Sequence, residues 1–203
     1  MPGQKASEET RREQILTAAY EVASRKGIDG LTVRAVAAKA KLSHGLILFH
    51  FKRRNQLVAA LLDRVLATTL VLTVPDDIAH HAHPMDRLRA LLRLETDRLA
   101  TDPRRIRLFF EYWALGFRHR AIRVKISAAL ERYRDGFHAI VRPVLEKEPA
   151  RFGGVTADGL AGVAVSVVTG GAVQAMIDPD DFDIQEYLSA VHGMIGRLTA
   201  LAA

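Results

Sequence analysis

Three sets of residues in this 203-residue chain have types and spacing suited to chemistry. The first is the run LSHGLILFHF, Leu42 to Phe51, followed by Lys52-Arg53-Arg54. It sets a hydroxyl, an imidazole and a glycine at one end of a helix-sized segment and three cations at the other. The second is His80, His81 and His83 close to Asp76 and Asp77, five groups of the kind that bind zinc or nickel. That loop lacks regular helical ligand spacing and gets no help from cysteine, so a solvated loop is expected and no metal. The third is a set of polar groups on apolar stripes: Glu95 in line with Leu88, Leu92 and Leu99, Glu111 between Phe110 and Trp113, and His138 after Phe137. Each could orient a ligand or be satisfied internally.

Covalent and cofactor chemistry leave no trace. The chain has no cysteine, which removes disulfides, thiolate metal sites and cysteine nucleophiles. It also lacks a G-x-S-x-G elbow, H-E-x-x-H, a Walker loop, G-x-G-x-x-G and the E-x-x-H pair of a di-iron bundle. The expectation is a protein without cofactor that is not an enzyme, with scattered carboxylates as the remaining catalytic alternative.

The elements that must position these residues are helices. Apolar residues recur at helical spacing almost throughout, and no strand-like alternation of any length occurs. The spacing predicts helices over about 7–26, 33–40, 43–51, 54–73, 84–101, 103–117, 119–145, 156–177 and 184–201, about nine in all. Loops are expected at 74–83 and 148–155. Gly27 stops the first helix, and Thr32 and Ser43 cap the next two. The pairs Leu31 with Val36 and Leu42 with Ile47 are spaced as hydrophobic staples. Asp183 with Glu186 reads as a capping box.

Only Lys41-Leu42-Ser43 separates the second and third helices, which makes them a helix-turn-helix. The second helix of that motif lies in a DNA major groove with its first residues at base edges. Ser43, His44, Gly45 and Leu46 are therefore the candidates nearest the bases. Thr32 and the amides it caps suit a phosphate, and Lys52 and Arg54 are placed for the adjacent backbone. Charge agrees: residues 1–54 hold eleven Lys/Arg against five Asp/Glu, which is the whole net +6, and the rest of the chain is neutral. A basic segment ahead of a neutral body suits an anionic partner. A division at 1–54 and 55–203 follows.

The stretch Ile15 to Leu62 resembles the tetracycline-repressor (TetR) family of transcriptional regulators. The likeness rests on the GIDGLT turn at Gly27 to Thr32 and on LSHGLILFHF. It implies that Thr32, Arg34, Ser43, His44, Gly45, Phe49, His50, Lys52 and Arg54 line or support a contact with double-stranded operator DNA. There are departures. Lys41 stands where glycine is usual and is expected to need a left-handed backbone conformation. Leu46 replaces a small polar residue, Leu48 replaces a tyrosine that reaches DNA, and Phe49 has no hydroxyl.

More weakly, the FFEYWALGFRHRAIR and GGAVQAMIDPDDFD stretches resemble the C-terminal domain of the betaine-regulator (BetI) branch. This implies an all-α chain, with a three-helix DNA-binding head and a helical body that binds an effector and pairs with a second subunit through its last two helices. The uncharged segment Gly159 to Ile177 suits that pairing. It has the length of a bilayer span, but no flanking cations or aromatic belt, so no membrane is expected. Candidate effector contacts are Leu66, Leu70, Met85, Leu88, Leu92, Glu95, Phe109, Glu111, Trp113, Phe117, Tyr133, Phe137 and Met176, a lining for an apolar or aromatic molecule. The N-terminus has no apolar signal core, so a cytoplasmic location is expected. The function expected is a ligand-responsive dimeric regulator, with a repressor the first choice. The alternatives are a helical small-molecule-binding protein with a degenerate head, or a helical-bundle enzyme.

Overall fold

The computed structural model describes residues 7–70, 72–147 and 149–200. Among these there are ten α-helices and no strand: α1 (Glu8–Lys26), α2 (Val33–Ala40), α3 (His44–His50), α4 (Arg54–Thr69), α5 (Asp76–Ala79), α6 (Pro84–Ala100), α7 (Pro103–Gly116), α8 (Arg120–Lys147), α9 (Ala157–Ile177) and α10 (Ile184–Ala200). The helix not expected from the sequence is α5, one turn inside the expected loop at 74–83. Asp76 and Asp77 occupy its first turn, where negative charge suits a helix N-terminus. The second expected loop contains a short 3-10 turn, Pro149–Phe152. Helix α4 stops at Thr69, short of the expected Thr73.

The caps at Thr32, Ser43 and Asp183 fall where the sequence puts them, and the structure adds one at Ser7. Ser7 Oγ accepts from the Thr10 amide at 3.1 Å, Thr32 Oγ1 from Ala35 at 3.1 Å, and Ser43 Oγ from Leu46 at 3.2 Å. Asp183 accepts from the amides of Gln185 and Glu186 at 2.7 and 3.1 Å. Each cap satisfies a donor that the helix cannot, an effect of about 1 kcal/mol. The staples close as well: Leu31, Val36 and Ile47 are fully buried, and Leu42 is half-buried.

The chain forms two compact units that do not follow a single cut in the sequence. One holds the described part of Met1–Thr69 together with Arg104–Ile126; the other holds Leu70–Pro103 and the described part of Ser127–Ala203. A boundary after residue 54 marks the step in charge, whereas packing carries α4 and α7 into the first unit. The reason is a shared core in which Ile15, Ala19, Leu57, Leu61 and Leu62 are buried along with Phe109 and Tyr112 of α7. The second unit is built on Leu88, Leu91 and Leu92 of α6, Tyr133, Phe137 and Val141 of α8, and Val168 of α9. Helix α9 is long and apolar enough to cross a membrane. One face of it, from Leu160 through Ala164 and Val168 to Ala172, is packed in this unit.

The turn of the helix-turn-helix carries the backbone cost anticipated for it. Lys41 has φ 54° and ψ 44° and is the only non-glycine residue at positive φ among the described residues. A left-handed residue with a Cβ costs about 1–2 kcal/mol, while glycine gives back about 0.5–1 kcal/mol in unfolded-chain entropy. Relief of the strain outweighs the entropy lost. Lys41→Gly is therefore expected to raise stability by about 0.5–1 kcal/mol, read as a higher urea midpoint at unchanged slope.

Candidate nucleic-acid interface

Helices α2 and α3, of eight and seven residues, are too short to hold themselves. Side chains from outside the motif satisfy the carbonyls they leave open. Gln14 Nε2 of α1 donates to the Ala40 carbonyl at the end of α2, 3.0 Å away. Arg12 Nη1 donates to the His50 carbonyl at the end of α3, also at 3.0 Å, and its guanidinium lies 4.5 Å from the Phe51 ring centroid. Arg54 donates from Nε to Leu31 O at 2.8 Å and from Nη2 to Ile28 O at 2.6 Å, fixing the turn that enters α2. Together with the Ser43 cap, these bonds fix both ends of α3 without using its outer face.

That outer face holds most of the residues expected at DNA. Ser43, His44, Gly45, Leu48 and Phe49 are exposed, with Leu46 half-buried and Ile47 turned fully inward. A Cβ added to Gly45 would meet nothing within 4 Å, so the surface is flat there and open to close approach. Thr32, Arg34, Lys52 and Arg53 are at least partly exposed in the same unit. Arg54, Ser43 and His50 are engaged within the unit. Arg54, expected on the phosphate backbone, holds loop carbonyls. The Ser43 hydroxyl is engaged in its cap. His50 is half-buried with its ring edge-on to Phe49 at 5.2 Å, and its Nδ1 is buried without a hydrogen-bond partner.

Helix α7 is tied to the same unit by polar bonds that sequence reasoning missed. Glu111 Oε2 accepts the Ile28 amide at 2.7 Å, in the turn between α1 and α2. Gly27 precedes it at φ 70°, and a Cβ there would come within 3.0 Å of that carboxylate. Glycine is thus required twice, by backbone conformation and by space. The buried Tyr112 hydroxyl donates to Val58 O of α4 at 2.8 Å, and burial pushes its pKa well above the usual tyrosine range. Arg107 donates to the Ser24 carbonyl near the end of α1. Beside this turn a cleft of about 610 Å³ is lined by residues including Lys26, Ile28, Glu111, Phe117 and Arg118.

The expected effector lining is divided between the units. Leu66, Phe109, Glu111, Trp113 and Phe117 belong to the first; Leu70, Met85, Leu88, Leu92, Glu95, Tyr133, Phe137, His138 and Met176 belong to the second. Most are ordinary core. Phe117 departs from the expected lining by being 74% exposed, since it follows the end of α7. The polar exceptions have internal partners. Glu111 has the bond just described, and His138 Nε2 lies 3.4 Å from Asp158 Oδ1. Glu95, buried, accepts from the Tyr133 hydroxyl at 2.6 Å and pairs with Arg98 in its own helix. Burial, with Glu95 beside it, raises the pKa of Tyr133 strongly, so that hydroxyl stays a donor. Of the histidines, His83 Nδ1 accepts the Met85 amide at 3.2 Å as the cap of α6, and His80 Nδ1 pairs with Asp76 O. Among the described residues no group of three or more potential ligands comes together.

A helix-turn-helix whose second helix is anchored at both ends and open on its outer face, in a unit with exposed cations, defines a DNA-binding transcriptional regulator. Comparison with known proteins gives the family. Residues 15–61 match the bacterial regulatory proteins of the tetR family, and residues 84–200 match the C-terminal part of the BetI-type transcriptional repressors. The chain belongs to the TetR family, with a C-terminal part of BetI type. It is 28% identical over 185 residues to an HTH-type regulator from the dhlA 5′ region of Xanthobacter autotrophicus, covering 89% of this chain and 88% of that one. It is 25% identical over 195 residues to the regulator BetI of Paraburkholderia phymatum, covering 96% of each. In fold it is similar to a transcriptional regulator from Pseudomonas aeruginosa PAO1 (TM-score 0.74, 21% identity, 97% and 93% coverage). It is also similar to one from Saccharomonospora viridis in complex with choline (TM-score 0.71, 18% identity, 91% and 95% coverage).

The Glu95 arrangement has a direct consequence. Glu95→Ala leaves the buried Tyr133 hydroxyl without its acceptor and removes the carboxylate that pairs with Arg98, and the cost is expected to reach about 2–3 kcal/mol. Denaturant titration of the ligand-free protein checks this. A change near zero would mean that the carboxylate serves a ligand instead.

Proposed function

We propose that this regulator is a dimeric repressor that grips a two-fold operator and lets go when a small organic molecule binds its helical body. The observation that carries the DNA part is the exposed outer face of α3, from His44 to Phe49, held by Arg12 at one end and by the Ser43 cap at the other. Of the assigned contacts, His44, Gly45, Leu46 and Phe49 are proposed to face bases or sugar. Thr32, Arg34, Ser43 and Lys52 are proposed to hold phosphates, and His50 to support the helix. Arg54 acts as a positioning residue through the Ile28 and Leu31 carbonyls. DNA as the partner favours a cytoplasmic location.

The dimer is supported by α9 and α10. Val163 and Ile177 of α9 and Met194 of α10 are exposed, and nothing stands within 4 Å of a Cβ built on Gly162, Gly170 or Gly193. An apolar surface with small residues lets two helix pairs approach closely, and a two-fold operator needs two heads. For the effector, the aromatic pair Tyr133 with Phe137 in the second unit, centroids 5.3 Å apart, favours an apolar or aromatic molecule. The choline in the Saccharomonospora viridis complex makes a small organic cation the natural comparison compound, since aromatic faces attract such cations.

Titration of the DNA upstream of the gene should show specific binding that falls about 10³-fold or more between about 50 and 200 mM salt, and Lys52→Ala should lower the salt slope by about one. Equal, weak binding to any duplex would favour the alternative of a helical ligand-binding protein whose head no longer reads DNA. In sedimentation the protein should run at twice the chain mass and shift to the monomer in Met194→Glu. A wild-type protein that is monomeric at micromolar concentration would contradict the dimer.

A further inference from the structure

We infer that the outer face of α3 reads thymine through its C5-methyl group, with Leu48 and Phe49 as the contacting side chains. The inference rests on the chain being a DNA-reading regulator. It starts from what α3 has available to read with. Bidentate recognition of guanine or adenine in the major groove takes Arg, Lys, Asn or Gln on the reading face, and His44–His50 contains none of these. The Ser43 hydroxyl accepts the Leu46 amide at 3.2 Å and its own O–H is assigned to a phosphate, and the His50 ring is half-buried against Phe49. Gly45 has no side chain. His44 is therefore the single fully exposed side chain on α3 that can hydrogen-bond to a base edge.

What α3 does expose is apolar. Leu48 is 36% and Phe49 74% exposed, in adjacent positions. They lie one turn beyond His44 and Gly45 and share their face. The open surface at Gly45, with nothing within 4 Å of an added Cβ, lets an edge approach near enough for both to touch it. Such a patch normally marks a binding surface, and the charge around it says which kind. Arg34, Lys41, Lys52 and Arg53 are at least partly exposed in the same unit, which also includes the segment with the whole net charge of the chain. Exposed apolar side chains in a unit with exposed cations suit an anionic polymer that presents apolar groups in a groove. In duplex DNA the thymine methyl is that group.

The test uses duplexes enriched from a random pool on the full-length protein. In the most enriched duplex each thymine is replaced, one at a time, by deoxyuridine, which removes only the methyl. One or two positions in each half-site should then bind about four-fold more weakly, the worth of one buried methyl. In Leu48→Ala and Phe49→Ala proteins, binding to the unmodified duplex should already be weaker and the deoxyuridine effect at the matching position should vanish. Both side chains are exposed, so melting temperatures should stay near that of the wild type; were a variant to unfold, the wild-type series alone decides. Tolerance of deoxyuridine at every position overturns the inference, as does a methyl effect undiminished in both variants, while DNA reading itself stands. Failure of any duplex to enrich overturns both.

Discussion

Satisfying the open carbonyls of two very short helices is the constraint on which the rest of this structure depends. Helices of seven and eight residues have few internal hydrogen bonds to set against the groups left unpaired at their ends. Gln14 and Arg12 supply donors to the last carbonyls of α2 and α3, each at 3.0 Å, and Arg54 holds the turn ahead of α2 at 2.6 and 2.8 Å. These side chains come from outside the motif, so α3 is held at its ends and by Ile47 beneath, and its outer face stays free. A recognition helix has to be rigid without using the surface that reads. The same logic accounts for the placement of Arg54: a donor with two carbonyls in the turn ahead of α2 is a better clamp than a surface charge, since exposed ionic contacts contribute little.

The next layer ties α7 to that frame. The Glu111 carboxylate on the Ile28 amide is a charge-assisted bond to the turn that leads into α2, and the Tyr112 hydroxyl on Val58 O anchors α7 to α4 out of water. Both are stronger than neutral exposed bonds. A displacement of α7 has to break or carry these contacts, so the turn ahead of α2 does not move independently of α7.

Much of this was legible in the sequence because it depends on local chemistry. Thr32, Ser43 and Asp183 cap helices wherever they precede apolar periodicity, the two staples follow from spacing, and Lys41 in the glycine position announces its own left-handed backbone. The one-turn helix α5 was missed because four residues carry no periodicity. Tertiary partners were the other blind spot. Glu95 and Glu111 stood out as polar residues on apolar stripes, but Tyr133 and Ile28 lie 38 and 83 positions away, and nothing local announces such bonds. Arg54 is a related case: a cation just past a recognition helix suggests a phosphate contact, and nothing local announces its bonds to Ile28 and Leu31. The exposure of Leu48 and Phe49 also needed coordinates, since apolar residues on a short helix read equally well as core.

The central claim is that α3 lies in the major groove of the operator, carried there by a clamped frame. Because the chain has no cysteine, Arg53→Cys provides a single attachment point, exposed just beyond α3, for an iron chelate that cleaves nearby DNA. The predicted result is strong cleavage confined to two short tracts related by the two-fold axis of the operator, about 34–36 Å apart or a multiple of that helical repeat. Cleavage spread evenly along the fragment, or absent while the labelled protein still binds, would contradict it.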